Sequence, residues 1–92
     1  MFYEDVPCYR DGTIIDVRSR EEYELSHAPN SVNIPWYRFR EHLDEIRRLP
    51  KPLVFCCEEG FRSGLTVFLL KMLGFKDIYN IGRWIDLPPK AA

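Results

Sequence analysis

The residues with the most chemistry in them lie together in the stretch Leu53-Val54-Phe55-Cys56-Cys57-Glu58-Glu59-Gly60-Phe61-Arg62-Ser63. An apolar run delivers a cysteine, a short loop containing glycine follows, and arginine and serine open an apolar segment of helical character. A thiolate, not a thiol, is the nucleophilic form of cysteine, and nearby positive charge or a helix N-terminus favours it. The first amides of a helix have no partner within the helix, and the helix dipole adds partial positive charge there, so an anion is at home at that end. The pattern therefore predicts a reactive thiolate held over a ring of backbone N–H groups. Gly60 permits the tight curl of such a loop, and Ser63 is the expected cap of the helix that follows.

Composition removes several function classes. The chain has 92 residues, with 46% apolar and 29% charged residues and a net charge of -1, and reads as one small domain, 1–92. Its basic residues are scattered, which gives no support for nucleic-acid binding. No apolar run approaches the roughly 20 residues of a membrane span, and the acidic start Met1-Phe2-Tyr3-Glu4-Asp5 is not that of a signal peptide. Cys8, Cys56 and Cys57 are odd in number, two are adjacent, and their spacing suggests neither a disulfide framework nor a zinc site. The reading is a reduced, cytoplasmic protein with no metal and no cofactor.

The elements that must position the loop alternate between strand and helix. Thr13–Val17 reads as a buried strand, and Ser19-Arg20-Glu21-Glu22 as a capping box opening a helix to about Leu25. Ser31–Ile34 reads as a second strand stopped by Pro35. Trp36, Phe39, Leu43, Ile46 and Leu49 then share one helical face. Pro50 and Pro52 lead into the strand Leu53–Cys56. Ser63–Leu73 is apolar nearly all round, as for a helix laid on a sheet, and Gly74 ends it. Asp77–Ile81 is the last strand. Trp36, Phe39, Phe68 and Met72 are expected in the core. Residues 1–12 form an abbreviated N-terminal element, and 87–92 a frayed tail. Strands buried on both faces and separated by helices predict an α/β fold with a parallel sheet. Ligands of such sheets bind beyond the carboxyl ends of the strands, where Asp16, Arg18, Asn33 and residues 57–62 all fall.

In this arrangement the chain resembles a single-domain rhodanese, a family of sulfurtransferases. Ile15-Asp16-Val17-Arg18 with Glu21-Glu22-Tyr23, then His27-Ala28-Pro29-Asn30-Ser31-Val32-Asn33-Ile34-Pro35, then Cys57-Glu58-Glu59-Gly60-Phe61-Arg62-Ser63 as Cys-x-x-Gly-x-Arg-Ser, and finally Gly74–Ile81 match its segments in order. The resemblance implies a three-layer α/β/α fold around a parallel sheet of four to five strands. It implies that Cys57 takes a sulfane sulfur from a small donor (thiosulfate, polysulfide) or a protein persulfide. The sulfur then passes to a thiol, a protein or, in vitro, cyanide. The amides of residues 58–62 would point inward and hold the outer sulfur.

The sequence departs from the family at Ile81-Gly82-Arg83-Trp84, where two glycines are usual, and at the two loop glutamates. With the amides turned inward, the Glu58 and Glu59 side chains splay to the rim and disfavour a dianionic donor. Arg62 is expected to brace the loop and add positive potential near the sulfur. Asp16 and Arg18 are read either as a strand-end pair or as a tie between neighbouring loop and active loop. His27 is read as structural, Cys8 as incidental, and Cys56 as a core residue at the strand end. Two alternatives stand beside the sulfurtransferase reading: a non-catalytic partner-binding module, and a cysteine-dependent phosphatase or arsenate reductase using Cys56 or Cys57 with Arg62. Phosphatases sharing the rhodanese fold have a loop one residue longer and a histidine where Cys56 stands.

Overall fold

The computed structural model describes residues 9 and 11–86; Cys8 and the tail from Leu87 lie outside the described residues. Among the described residues four strands, β1 (Thr13–Asp16), β2 (Val32–Asn33), β3 (Leu53–Cys57) and β4 (Ile78–Arg83), form one wholly parallel sheet in the order β2-β1-β3-β4. Between them run α1 (Arg20–Leu25), a 3-10 turn (Phe39–His42) continuing into α2 (Leu43–Arg48), and α3 (Phe61–Met72). A second 3-10 turn, Trp84–Asp86, follows β4.

Parallel neighbours need crossover connections, and these are right-handed almost without exception. The chain moves one way across the sheet from β1 to β2 and the other way from β2 to β3 to β4. Right-handedness therefore places α1 on one face and α2 with α3 on the other. The core divides accordingly. Ile15, Leu53, Phe55, Cys57 and Ile78 point to the α2/α3 face, where Phe39, Ile46, Val67, Leu70 and Phe75 join them. On the opposite face a smaller cluster holds Ile14, Val54, Cys56 and Tyr9, covered by Tyr79, Ile81 and Trp84. Adjacent Cys56 and Cys57 thus lie on opposite faces of the sheet, as the pleat demands.

The capping box forms as read: the Glu22 N–H donates to Ser19 Oγ at 3.2 Å and the Ser19 N–H to Glu22 Oε1 at 2.9 Å. Other elements differ from expectation. Strand β2 is only two residues, because Pro35 and the turn after it take the chain away from the sheet. The single helix expected after Pro35 is divided into a 3-10 turn and α2, and Trp36 is 39% exposed while Phe39 and Ile46 are buried. Helix α3 begins at Phe61, two residues before Ser63, with Gly60 as its N-cap. It is not apolar on account of full burial. Ser63, Thr66, Val67 and Leu70 face inward. Phe61, Leu65, Phe68 and Met72 form a stripe on the outer side, with Phe68 59% and Met72 69% exposed. Periodicity marks apolar positions, and a helix apolar on both sides gives no sign of which side meets the sheet.

These assignments separate two substitutions that the sequence would treat alike. Ile46→Ala, at a fully buried position, should cost about 2–5 kcal/mol. Phe68→Ser should change stability by no more than about 0.5 kcal/mol. Urea unfolding monitored by circular dichroism measures both.

Candidate active site

Strand β3 ends at Cys57, whose side chain faces α3 and is 1% exposed. Gly60 then takes a left-handed conformation (φ 97°), which an L side chain adopts only with strain. That turn folds the loop back over the strand end. It brings the Gly60 N–H to 2.9 Å from Cys57 Sγ and the Ser63 N–H to 3.4 Å. Both donors belong to the N-terminus of α3, where the helix itself leaves amides unpaired. The amides expected over residues 58–62 are thus represented by Gly60, and Ser63 supplies one from just beyond that span. Ser63 is not the helix cap: as the third helical residue it turns its hydroxyl inward, 3.3 Å from Cys57 Sγ. A recess of about 280 Å³ lined by Cys57, Glu58, Glu59, Phe61 and Arg62 opens over the sulfur.

Cys56 has no comparable setting. It is fully buried on the thinner face. Burial first, and then the negative charges of Asp16 and Cys57, push its thiol far above the ordinary range. A thiol so held is inert.

The loop is anchored from three sides. Beyond β1, Arg18 is 3% exposed and pairs with Asp16, donating from Nε at 3.0 Å and from Nη2 at 2.7 Å. Nη2 also donates to the Ser26 carbonyl at 2.7 Å, and Nη1 lies 3.7 Å from Glu58 Oε1. Burial by itself would weaken the guanidinium as a base, but Asp16 and then Glu58 more than offset it. The Arg18 guanidinium stacks on Trp84, 4.5 Å from the ring centroid, and the Trp84 Nε1–H donates to Glu58 Oε1 at 3.3 Å. Asp16 and Arg18 therefore are both a strand-end pair and a tie to the loop. Glu58 and Glu59 are both exposed, and Glu58 is in addition held by Trp84 and Arg18.

On the second side, Arg62 reaches α1, with Nη1 3.2 Å from Glu22 Oε1 and Nη2 3.4 Å from Oε2. It braces the loop as read, but Glu22 offsets the positive potential it was expected to lend to the sulfur. The third side is Asn80 on β4, which the sequence reading passed over. It is 1% exposed, and its Nδ2 donates to the Gly60 carbonyl at 3.2 Å. Its Oδ1 accepts from Ser63 Oγ at 2.6 Å and from the Gly82 N–H at 3.1 Å. The signal available in the sequence was an amide side chain in the middle of a strand otherwise suited to burial, since a buried amide demands partners. His27 stacks on Tyr23 with centroids 3.8 Å apart, as befits a structural residue. Among the described residues no group of His, Cys, Asp and Glu side chains is arranged to hold a metal ion.

A four-stranded parallel sheet whose central strand delivers a cysteine into a Cys-x-x-Gly-x-Arg-Ser loop, with helix amides closing on its sulfur, is the architecture of a rhodanese domain. The family profile of the rhodanese-like domain matches residues 5–82, and the chain belongs to that family. It is similar to the Bacillus subtilis protein YqhL, at 36% identity over 79% of the chain and 57% of the relative. It is also similar to the adenylyltransferase and sulfurtransferase uba4 of Ogataea parapolymorpha, at 30% identity over 85% of the chain and 20% of that protein. Among solved structures, the rhodanese-related protein of Thermoplasma volcanium superposes with a TM-score of 0.72 at 31% identity, covering 84% of this chain and 75% of that one. The chain spans little more than half of YqhL and a fifth of uba4.

The Glu22–Arg62 bridge sets a pH dependence. Arg62, and then the Ser19 N–H, hold the Glu22 carboxyl down at about 2, against 4.5 ordinarily. A carboxylate lowered on folding stabilises the fold above its unfolded value, and the contribution is lost as pH falls through the folded one. The stability difference between the wild type and Glu22→Gln should therefore be constant near neutrality and shrink between about pH 5 and pH 2. Thermal unfolding of the two proteins across that range measures it. The partial exposure of both side chains keeps the difference small, at roughly 1 kcal/mol or less.

Proposed function

We propose that this chain is a sulfurtransferase in which Cys57 is nucleophile and sulfur carrier. The observation that carries the reading is the pair of helix amides, Gly60 and Ser63, directed at Cys57 Sγ at the floor of an open recess. The thiolate attacks the outer sulfur of a sulfane donor. The donor's S–S bond breaks, and its electron pair leaves with the remainder (sulfite, when the donor is thiosulfate). Cys57 then carries a persulfide whose outer sulfur is taken by a thiol, a protein acceptor or cyanide. The bonding pair returns to Cys57 Sγ, and the thiolate is restored. Once Cys57 reacts as thiolate, no step removes a proton from the donor or from cyanide, so no general base is needed.

The name of uba4 and membership of the rhodanese family support sulfur transfer as the class of reaction. Proteins as donors or acceptors suit the outer stripe of α3, whose first residue, Phe61, also lines the recess. The same stripe favours, as the second reading, a module that binds a partner without turnover. The phosphatase reading is weakened by Arg62, whose guanidinium is engaged by Glu22 where an oxyanion would need it. A nucleophile that works as a free thiolate fits a reducing compartment such as the cytoplasm.

Intact mass after incubation with polysulfide should show a cyanide-removable gain of one sulfur atom in the wild type and none in Cys57→Ser. No gain in the wild type would leave the partner-binding reading in its place. Thiosulfate should be the poorer donor, because Glu58 and Glu59 line its approach. Substituting both by Gln should raise thiosulfate turnover at low salt at least about twofold, with Glu59→Gln alone giving most of the gain because Arg18 already offsets Glu58. Steady-state assays at two ionic strengths check this, and an unchanged rate would remove the electrostatic explanation.

A further inference from the structure

Ser63 Oγ lies within hydrogen-bond distance of three acceptors: Asn80 Oδ1 at 2.6 Å, Cys57 Sγ at 3.3 Å and the Gly60 carbonyl at 3.3 Å. A hydroxyl has one proton to give. The shortest contact assigns it to Asn80 when the sulfur is uncharged. The orientation of the Asn80 amide is fixed by its neighbours, because the Gly82 N–H requires an oxygen and the Gly60 carbonyl requires an N–H. Asn80 thus cannot exchange its two ends without breaking both contacts. Its Oδ1 keeps the Gly82 N–H when the serine proton leaves, so releasing that proton orphans nothing.

We infer that Asn80 is a positioning residue that parks the Ser63 hydroxyl as a switchable donor, delivered to Cys57 Sγ only when that sulfur carries negative charge. The inference rests on the sulfur-carrier reading for its consequence in turnover. In the persulfide, the inner sulfur is neutral and a poor acceptor, so the hydroxyl stays with Asn80. When an acceptor attacks the outer sulfur, the S–S bonding pair moves onto Cys57 Sγ. The hydroxyl then rotates from Asn80 to the developing thiolate. Transfer out of the persulfide is assisted more than the resting persulfide is stabilised, which is the condition for an interaction to accelerate a step. Asn80 acts twice, because through Nδ2 and the Gly60 carbonyl it also holds the amide that lies 2.9 Å from the sulfur.

The test separates this inference from the proposed function by using a reaction that needs no sulfur donor. The pH profile of Cys57 alkylation by iodoacetamide is recorded by mass for the wild type, Ser63→Ala, Asn80→Leu and the double variant. Loss of one hydrogen bond to a charged acceptor should slow alkylation near neutrality roughly 10-fold and move the profile of each single variant to higher pH. The effect of Ser63→Ala should largely vanish in the Asn80→Leu background, since the Gly60 carbonyl, no longer occupied by Asn80 Nδ2, then takes the serine proton in place of the sulfur. In sulfur transfer, Ser63→Ala should slow release of the sulfur to cyanide more than loading from polysulfide. Ser63→Ala removes only a hydroxyl and keeps Asn80 in place, so it decides the question if Asn80→Leu does not fold. A wild-type alkylation profile in Ser63→Ala, or independent and additive effects of the two substitutions, would overturn the inference. Shifted alkylation profiles in a protein that forms no persulfide would uphold the parked hydroxyl while removing the proposed function.

Discussion

The arrangement depends on one contact, the Gly60 N–H directed at Cys57 Sγ. It requires a strand that ends in the sheet's interior, a residue able to reverse the chain in a left-handed conformation, and a helix whose first turn lands on the strand end. Each has a visible cause. β3 is buried along its whole length and lies between β1 and β4. Gly60 supplies the positive φ. Val67 and Leu70 on α3 dock into the same cluster as Phe55 and Cys57. Cys57, the proposed nucleophile, is a core residue of its own domain, and the loop amides provide the polar contacts that an ionised sulfur would need away from water.

The surroundings hold that loop in place more than they charge it. Arg18, Arg62 and Asn80 reach it from β1, α3 and β4, and the two arginines meet carboxylates rather than the sulfur. Electrostatic support for a thiolate therefore comes from N–H dipoles fixed in position, which need no reorganisation when charge develops. The β4 side adds a further device. The register between β3 and β4 slips between Phe55 and Cys56, so that Phe55 pairs with Asn80 and Cys56 with Gly82. Gly82, with φ 92°, takes up the irregularity, and Asn80 Oδ1 accepts its N–H. The departure from the usual pair of glycines at this point thus retains the glycine whose conformation the bulge requires.

Much of this was legible in the residues. The capping box at Ser19 and Glu22, the Cys-x-x-Gly-x-Arg-Ser loop and the alternation of strand with helix are local signals, and local signals survive folding. The parts that were not legible are relations between distant segments. Glu22 is read as a cap, but that it also receives Arg62 follows from how α1 meets the start of α3. Ser63 has the composition of an N-cap, yet the left-handed turn at Gly60 starts the helix earlier and directs the hydroxyl inward. Phe68 and Met72 are apolar without being buried. Asn80 gave only the hint of a polar residue in a buried strand; two of its partners, Ser63 and Gly60, are 17 and 20 residues away in the chain.

The most direct test of the central claim is to record 15N–1H correlation spectra of the reduced protein before and after loading with one equivalent of polysulfide sulfur, with persulfide formation followed by mass. The account predicts that the largest amide shifts fall on Gly60 and Ser63, accompanied by the Asn80 side-chain amide, and that cyanide reverses them. Persulfide formation that leaves Gly60 and Ser63 unmoved would contradict the claim that these amides hold the reactive sulfur.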